Sequence, residues 1–409
     1  MRRIWGNVCG GPNSVRMKGS NFAVMVFALL LALLCLIELC SALEVSVACM
    51  IDYDSGGARS VFLSPECPQW EWVRLIHSPR ENTTSNCDFA SATIQGHRNY
   101  QEDRIVCNSA LKIPSLDGDE LTIGIAAVFD GHGGSEASEL ASKKFLDYFL
   151  LNVVFKTYKD ALSYELIEEP DGVITFKSAH GTLSLTDSDT LLKGTLREAL
   201  TKTFEDIDSE FSEEALKQDY ISGSTGTVVL LVNGQALVGY VGDSKALLCS
   251  DPTQTSQVAE GISSRAGFAE ELTIDHNPSR ADEKARIEAS GGFIRTWGVP
   301  RVNGLLAMTR AIGDLTFKRY GVIAEPEVTG WRTLTSDNSF LVVGTDGIFE
   351  GLTPSDVCAV LNDKSCTRKN TLSGNSSCLT PSALANHIVY SAFENGSTDN
   401  ISVIIIPLD

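Results

Sequence analysis

Acidic residues recur at the ends of apolar stretches along this chain, and that placement is where chemistry could reside. Asp130 closes the run Ile125–Phe129 in IAAVFDGHGGS, Asp314 ends GLLAMTRAIGD, Asp346 follows FLVVGT, and Asp399 precedes NISVIII. Glu102 and Asp103 follow a turn at residues 96–99. Hard divalent ions such as Mg²⁺ and Mn²⁺ take carboxylates, carbonyls and water as ligands. One carboxylate can bridge two such ions ~3.5–4 Å apart, a spacing suited to phosphoester hydrolysis. Any one of these aspartates is equally well explained as turn chemistry at a strand end; only the set points to a metal centre. His132, two residues after Asp130, adds an imidazole with a reference pKa of ~6.5, suited to proton donation near neutrality.

The elements that would position these groups can be read from the pattern. Ile125–Phe129 is a short apolar run stopped by Gly131, Gly133 and Gly134, the signature of a buried strand ending in a tight turn. Ser135 is placed to cap a helix over EASELASKKFLDYFLLNVV. FASATIQGHRNYQEDRIVC reads as strand, turn, strand. LLKGTLREALTKTFEDIDSEFSEEAL reads as an amphipathic helix, with Leu196, Leu200 and Phe204 four residues apart. Asn233-Gly234 between TVVLLV and QALVGYVGD is a strong hairpin signal. LTIDHNPSRADEKARIEASGG reads as a turn and a helix closed by glycine, with His276 in a structural role. Many hairpin-linked strands with a few long helices imply stacked, largely antiparallel layers of mixed α and β. The domain is expected to start near Asp88, residues 44–88 to form an irregular spacer, and residues 160–192 and 362–380 to be solvated insertions.

Composition narrows the function. The 409 residues are 43% hydrophobic and carry a formal charge of −19. Four of the positive charges (Arg2, Arg3, Arg16 and Lys18) precede residue 21, so the remainder is more acidic still. Such a body does not bind nucleic acid by neutralising phosphates, and it repels a phosphorylated substrate unless bound cations reverse the local sign. Eleven cysteines without a CxxC pair argue against a zinc cluster. Cys366 and Cys378 bracket a polar loop and are the first candidate disulfide, should the domain lie in an oxidising compartment. The basic N-terminus and the uncharged apolar run Phe22–Ile37 make residues 1–43 a signal-anchor or a cleaved signal, with Cys40-Ser41-Ala42 as the small-residue site for the latter. Basic residues only on the N-terminal side place the body outside the cytosol; Asn82-Thr83-Thr84 and Asn375-Ser376-Ser377 are glycan acceptors in that case.

Taken together, the stretches Arg98–Asp103, Val128–Gly134, Ser222–Gly226, Gly242-Asp243-Ser244, LTIDHNP, GLLAMTRAIGD, Thr345-Asp346-Gly347 and Thr398-Asp399-Asn400 occur in the order found in one family. Over about residues 90–407 the chain resembles the metal-dependent serine/threonine protein phosphatases of the PPM, or PP2C, type. That resemblance implies an α+β fold, a four-layer αββα sandwich of two mainly antiparallel sheets flanked by helices, with the metal site at one end and the phosphatase domain spanning 89–409. It implies two Mn²⁺ or Mg²⁺ ions, bridged by Asp130. Gly131 (through its carbonyl) and Glu102 complete one shell, and Asp346 and Asp399 hold the other ion. Asp103 orients the attacking water, Arg98 grips the phosphate, and His132 is the general acid, with no covalent nucleophile. Asp243 and Glu350 correspond to a third, weaker ion site. Lys245 stands where many members have arginine, and Glu350 where an aspartate is usual, which leaves occupancy of that site open. The implied partners are phosphorylated proteins; the chain is expected to be a monomer, and its N-terminal segment to tether it to a membrane through residues 22–43. The alternatives are a phosphatase-like binding module that does not turn over, and a metal hydrolase for another phosphoester.

Overall fold

The computed structural model describes residues 89–114, 120–163, 188–250, 268–362 and 380–408, together with five short strands outside these ranges. The chain divides into two compact units. The smaller holds most of β1 (Val47–Ile51) and β2 (Ser60–Ser64), which pair with each other.

The larger unit opens with β3 (Ala90–Ile94), β4 (Arg104–Pro114), β5 (Glu120–Phe129) and the two-residue strand β6 (Gly131–His132). Helix α1 (Glu136–Ser163) follows. A three-stranded antiparallel meander of β7 (Glu165–Glu168), β8 (Ile174–Ser178) and β9 (Gly181–Leu183) then precedes helix α2 (Ser188–Gln218). Next come β10 (Gly223–Ser224), β11 (Gly226–Val232), β12 (Gln235–Val241), β13 (Lys245–Ser250) and β14 (Phe268–Glu271). The β11–β12 turn is the predicted one: Asn233 and Gly234 both take positive φ, as a two-residue hairpin loop of this twist requires. Helix α3 (Ala281–Ala289) leads to the hairpin of β15 (Ile294–Trp297) and β16 (Val299–Val302). After it lie β17 (Ile312–Gly313), α4 (Leu315–Lys318), β18 (Glu327–Val328), β19 (Arg332–Thr333) and β20 (Asn338–Gly344). Helices α5 (Asp346–Gly351), α6 (Pro354–Leu361) and α7 (Pro381–Glu394) and strand β21 (Ile401–Pro407) complete it.

Two antiparallel sheets form the centre. One is six-stranded, in the order β18-β12-β11-β5-β4 with β19 beside β12; the other is five-stranded, in the order β14-β13-β20-β21-β3. Alternate residues of β5 point opposite ways and both faces are covered. Ile125, Ala127 and Phe129 pack against Phe145 and Phe149 of α1 and Leu200 and Phe204 of α2. Ala126 and Val128 instead meet Leu248, Val343 and Ile404 of the second sheet. The outer face of that sheet (Val342, Val403, Ile405) packs on Val357 of α6 and Ile388 of α7. Burial on both faces is why these strands read as unbroken apolar runs, and each fully buried phenylalanine contributes about 1.5–3 kcal/mol. The result is four layers: helices, sheet, sheet, helices.

Three features go beyond the sequence reading. The two strands expected at 89–107 lie in different sheets, because β3 pairs with β21 and β4 with β5. The segment 160–192, expected as a solvated insertion, holds the end of α1, the meander and the start of α2. A disulfide joins Cys249 of β13 to Cys358 of α6, a pair that its separation of 109 residues hid. The apolar run 22–37, the loop 363–379 with Cys366 and Cys378, and both glycan triplets lie outside the described residues. Among the described residues no helix is long and apolar enough to cross a membrane.

Candidate metal centre at the strand ends

Antiparallel pairing brings the acidic residues to one edge. Arg104 pairs with Phe129, so Asp103, just before β4, lies beside Asp130, just after β5. Lys245 pairs with Gly344, and Gly344 with Val403. Hence Asp243 before β13, Asp346 after β20 and Asp399 before β21 share the corresponding edge of the second sheet. Entering and leaving strands alternate, and each delivers its aspartate to the same end.

The carboxylates are close enough to repel. Burial is the largest cause pushing the Asp130 pKa well above its ordinary value, and Asp346, Asp103, Asp243 and Asp399 push it further. Burial, then Asp243 and Asp399, lift Asp346 to about 8. Burial lifts Asp103 to about 6 against the opposing pull of two hydroxyls, and burial followed by Asp275 raises Asp243.

Supporting contacts fix these side chains. Asp103 Oδ2 accepts from Ser402 Oγ at 2.7 Å and Thr345 Oγ1 at 3.0 Å. The Asp130 N–H donates to Thr225 Oγ1 at 3.1 Å, and the Thr225 N–H returns a bond to the Asp130 carbonyl at 2.9 Å. Asn400 Oδ1 accepts from the Glu102 N–H at 2.8 Å, while its Nδ2 donates to the carbonyls of Gln95 and Tyr100, tying down the loop that carries Arg98 and Glu102. Gly131 permits the close approach of that loop: a Cβ there would stand 2.5 Å from the Glu102 carbonyl oxygen and 2.7 Å from Ser138 Oγ.

The donor set fits hard dications. Asp103 Oδ1, Asp243 Oδ1 and Asp346 Oδ1 are buried with no hydrogen-bond partner, and an unpaired buried carboxylate oxygen is costly unless a cation meets it. Oxygen-only donors converging from several strands suit Mg²⁺ or Mn²⁺.

The remaining expected residues fall around this cluster. Arg98, about half exposed, donates through Nη2 to Asp399 Oδ2 at 2.5 Å, which puts its guanidinium on the rim rather than free of partners. His132 Nε2 lies 2.8 Å from Asp314 Oδ2, and its Nδ1 is buried without a partner. Burial opposes the charged imidazole, but the hydrogen bond and charge of Asp314 outweigh it, leaving the His132 pKa above its ordinary value. Glu350 Oε2 accepts from the Thr398 N–H at 3.0 Å, and Lys245 pairs with Asp275 at 2.5 Å and Glu271 at 3.2 Å. Sequence reasoning noted Asp314 only as one more strand-edge acid, quoted Thr225 and Thr345 only as members of family stretches without a role, and passed over Ser402, whose hydroxyl looks like an ordinary strand residue.

A second cluster, His276, Glu283 and Glu327, has donor atoms within 4.8 Å of one another, yet it does not suit a cation. Glu283 is bound by Arg286, Arg310 and Thr309, and Glu327 by Arg280 and Tyr240. His276 Nδ1 accepts the Gly242 N–H at 3.1 Å, so the proton of the neutral ring sits on Nε2, facing Glu327 at 3.5 Å. Burial, then Arg310, holds its pKa down at about 4. The buried ring is a brace for the Gly242–Asp243 turn, as its sequence context suggested.

Comparison with known proteins agrees with this geometry. A family profile described as Protein phosphatase 2C matches residues 87–401. The chain is 39% identical over 421 residues to "Probable protein phosphatase 2C 51" of Arabidopsis thaliana, covering 89% of this chain and 78% of that protein. It is 36% identical over 428 residues to "Putative protein phosphatase 2C 76" of Oryza sativa subsp. japonica, covering 89% and 85%. Among solved structures, the serine-threonine phosphatase 2C of Toxoplasma gondii shares the fold, with a TM-score of 0.57, 21% identity, and coverage of 80% of this chain and 96% of that one. A sex determining protein of C. elegans does likewise, with a TM-score of 0.57, 24% identity, and coverage of 81% and 67%.

Proposed function

The chain belongs to the protein phosphatase 2C family and is a metal-dependent protein serine/threonine phosphatase, and from that premise we propose how its own residues divide the work. Asp130, Glu102 and the Gly131 carbonyl would hold one Mn²⁺ or Mg²⁺ ion, and Asp130, Asp346 and Asp399 a second. Asp243 would contribute to a third, weaker ion. When bound, the ions supply Lewis-acid activation of water and positive charge against the phosphate dianion.

Each protein group then has a local task. Asp103, pinned by Ser402 and Thr345, keeps Oδ1 free to accept a hydrogen bond from the attacking water. Arg98 turns its fork from Asp399 to the substrate phosphate, which it can hold through two oxygens at once. His132 donates a proton to the departing serine or threonine oxygen. No side chain is required as a nucleophile. The observation that supports this division is the gathering of acids from opposite strand ends, three with buried, partnerless oxygens. The test measures phosphothreonine-peptide turnover with Mn²⁺, with EDTA, and by Asp130→Ala with Mn²⁺. Turnover should survive only in the first; equal rates in all three would overturn the assignment.

We further propose that the catalytic domain resides outside the cytosol on a chain anchored through residues 22–43. Basic residues only on the N-terminal side of the apolar run and the Cys249–Cys358 bond both support it. Protease protection of the domain in sealed microsomes is expected; digestion without detergent would refute it.

A further inference from the structure

Three two-residue strands, β6, β10 and β17, form a small sheet of their own beside the metal centre. At its middle Gly223 pairs with His132 on one side and with Gly313 on the other. Asp314 follows Gly313 directly, so the histidine and the aspartate stand on opposite flanks of one glycine, 182 residues apart in sequence. A Cβ on Gly223 would lie 2.5 Å from His132 Nε2 and 2.5 Å from Asp314 Oδ2. The 2.8 Å hydrogen bond between those two atoms therefore crosses the space that only glycine leaves open.

Asp314 is built for this contact rather than for solvent. It is 3% exposed and takes a left-handed backbone conformation (φ 52°, ψ 41°), one of four non-glycine residues with positive φ among the described residues. A residue with a Cβ adopts that conformation only against a steric penalty. The surroundings enforce it. The Asp314 N–H donates to the Ser222 carbonyl at 3.1 Å. Asp208 of α2 accepts the Gly313 N–H at 2.7 Å and pairs with Lys318 at 2.8 Å, and Lys318 also donates to the Ala311 carbonyl at 2.8 Å.

We infer that Asp314 is a positioning residue for His132, accepting the Nε2 proton across Gly223 and thereby committing Nδ1, buried and otherwise without a partner, to the leaving oxygen of the substrate. The inference rests on the reading of His132 as general acid. In the step itself, the water oxygen forms a bond to phosphorus and the ester P–O bond breaks with its electron pair on the serine or threonine oxygen. That oxygen takes the proton from Nδ1. One hydrogen of the water departs on the phosphate and the other is released as a proton, while the neutral imidazole is reprotonated from solvent. A carboxylate behind the imidazole fixes which nitrogen faces the reaction, the same logic by which a buried aspartate sets the tautomer in hydrolase triads.

The test uses the full chain saturated with Mn²⁺ and compares two substrates. p-Nitrophenyl phosphate has a leaving group that departs without protonation; a phosphothreonine peptide does not. Asp314→Ala should lower kcat on the peptide by about 10²-fold, with kcat on p-nitrophenyl phosphate within about threefold of wild type and the Mn²⁺ activation constant unchanged. Asp314→Asn, of the same shape but without the charge and able to present an N–H to the ring, should show the same leaving-group-dependent loss and covers the case in which the alanine variant fails to fold. Nitrogen-15 NMR of the imidazole, with diamagnetic Mg²⁺ in place of Mn²⁺, should show the Nε2–H form of neutral His132 in the wild type and a mixture in Asp314→Ala. Equal loss on both substrates, or no loss on either, overturns the role of Asp314. His132→Gln separates the two claims: leaving-group-dependent loss in that variant alone removes Asp314 and keeps the acid. Leaving-group-independent loss in His132→Gln removes the acid reading and, with it, the role given to Asp314.

Discussion

Withdrawing metal from the acidic cluster should make the folded protein pH-sensitive in an unusual direction. Asp346 stands at about 8 and Asp103 at about 6 against an ordinary 3.8, both chiefly through burial. Their folded-state values exceed the unfolded ones, so the metal-free native state binds more protons than the unfolded chain. Stability then falls as pH rises. The penalty is absent below about pH 4, grows between about pH 4 and 8, and is complete above. At ~1.4 kcal/mol per pH unit, Asp346 alone costs about 3 kcal/mol between pH ~5.5 and ~8. Asp103 adds less than its separate share, because both act on Asp130 and titrate with it. Urea denaturation in EDTA at those two pH values measures the effect directly. The wild type should lose about 3 kcal/mol on going to the higher pH and recover it on addition of Mn²⁺. Asp346→Asn, inactive but relieved of one charge, should be more stable than wild type in EDTA at pH 8. A metal-free stability that is flat or rising over this range, or an asparagine variant weaker than wild type at pH 8, would refute the electrostatic account of the site.

Other outcomes follow from contacts elsewhere. Gly131→Ala should displace the Glu102 loop and weaken Mn²⁺ activation by about 10–100-fold, read as a shift in the metal concentration for half-maximal rate with little change in peptide KM. Glu283→Gln should cost about 3–5 kcal/mol in denaturant stability, since Glu283 is fully buried and its loss leaves Arg286 and Arg310 uncompensated. Replacing Cys249 and Cys358 by alanine should cost about 2–5 kcal/mol, and dithiothreitol should destabilise the wild type by a similar amount while leaving the double variant unmoved.

Much of the site was legible because its donors sit where local pattern is strongest. An apolar run bounded by an aspartate identifies a strand end without any knowledge of its partner, so Asp130, Asp346 and Asp399 stood out singly and the layered antiparallel class followed from the hairpins. What remained hidden is long-range and chemically unremarkable. Thr345 and Ser402 reach Asp103 across 242 and 299 residues, and a hydroxyl in a strand carries no mark of its partner. Gly223 entered only as a member of the stretch Ser222–Gly226, and nothing local says that His132 and Asp314 close on either side of it. The separation of β3 from β4 was concealed because a turn between two apolar stretches does not reveal whether the chain pairs back or crosses to another sheet.

The acids come from two slabs rather than one, and the filling between the slabs is Ala126, Val128, Val229, Ala236 and Val238 against Ala246, Leu248, Val343 and Ile404. The gap between Asp130 on one slab and Asp346 on the other is therefore gauged by the thickness of that apolar wafer, well away from any ligand. An added methyl group in the wafer acts as a shim, and its first symptom would be a changed appetite for cations rather than a loss of fold.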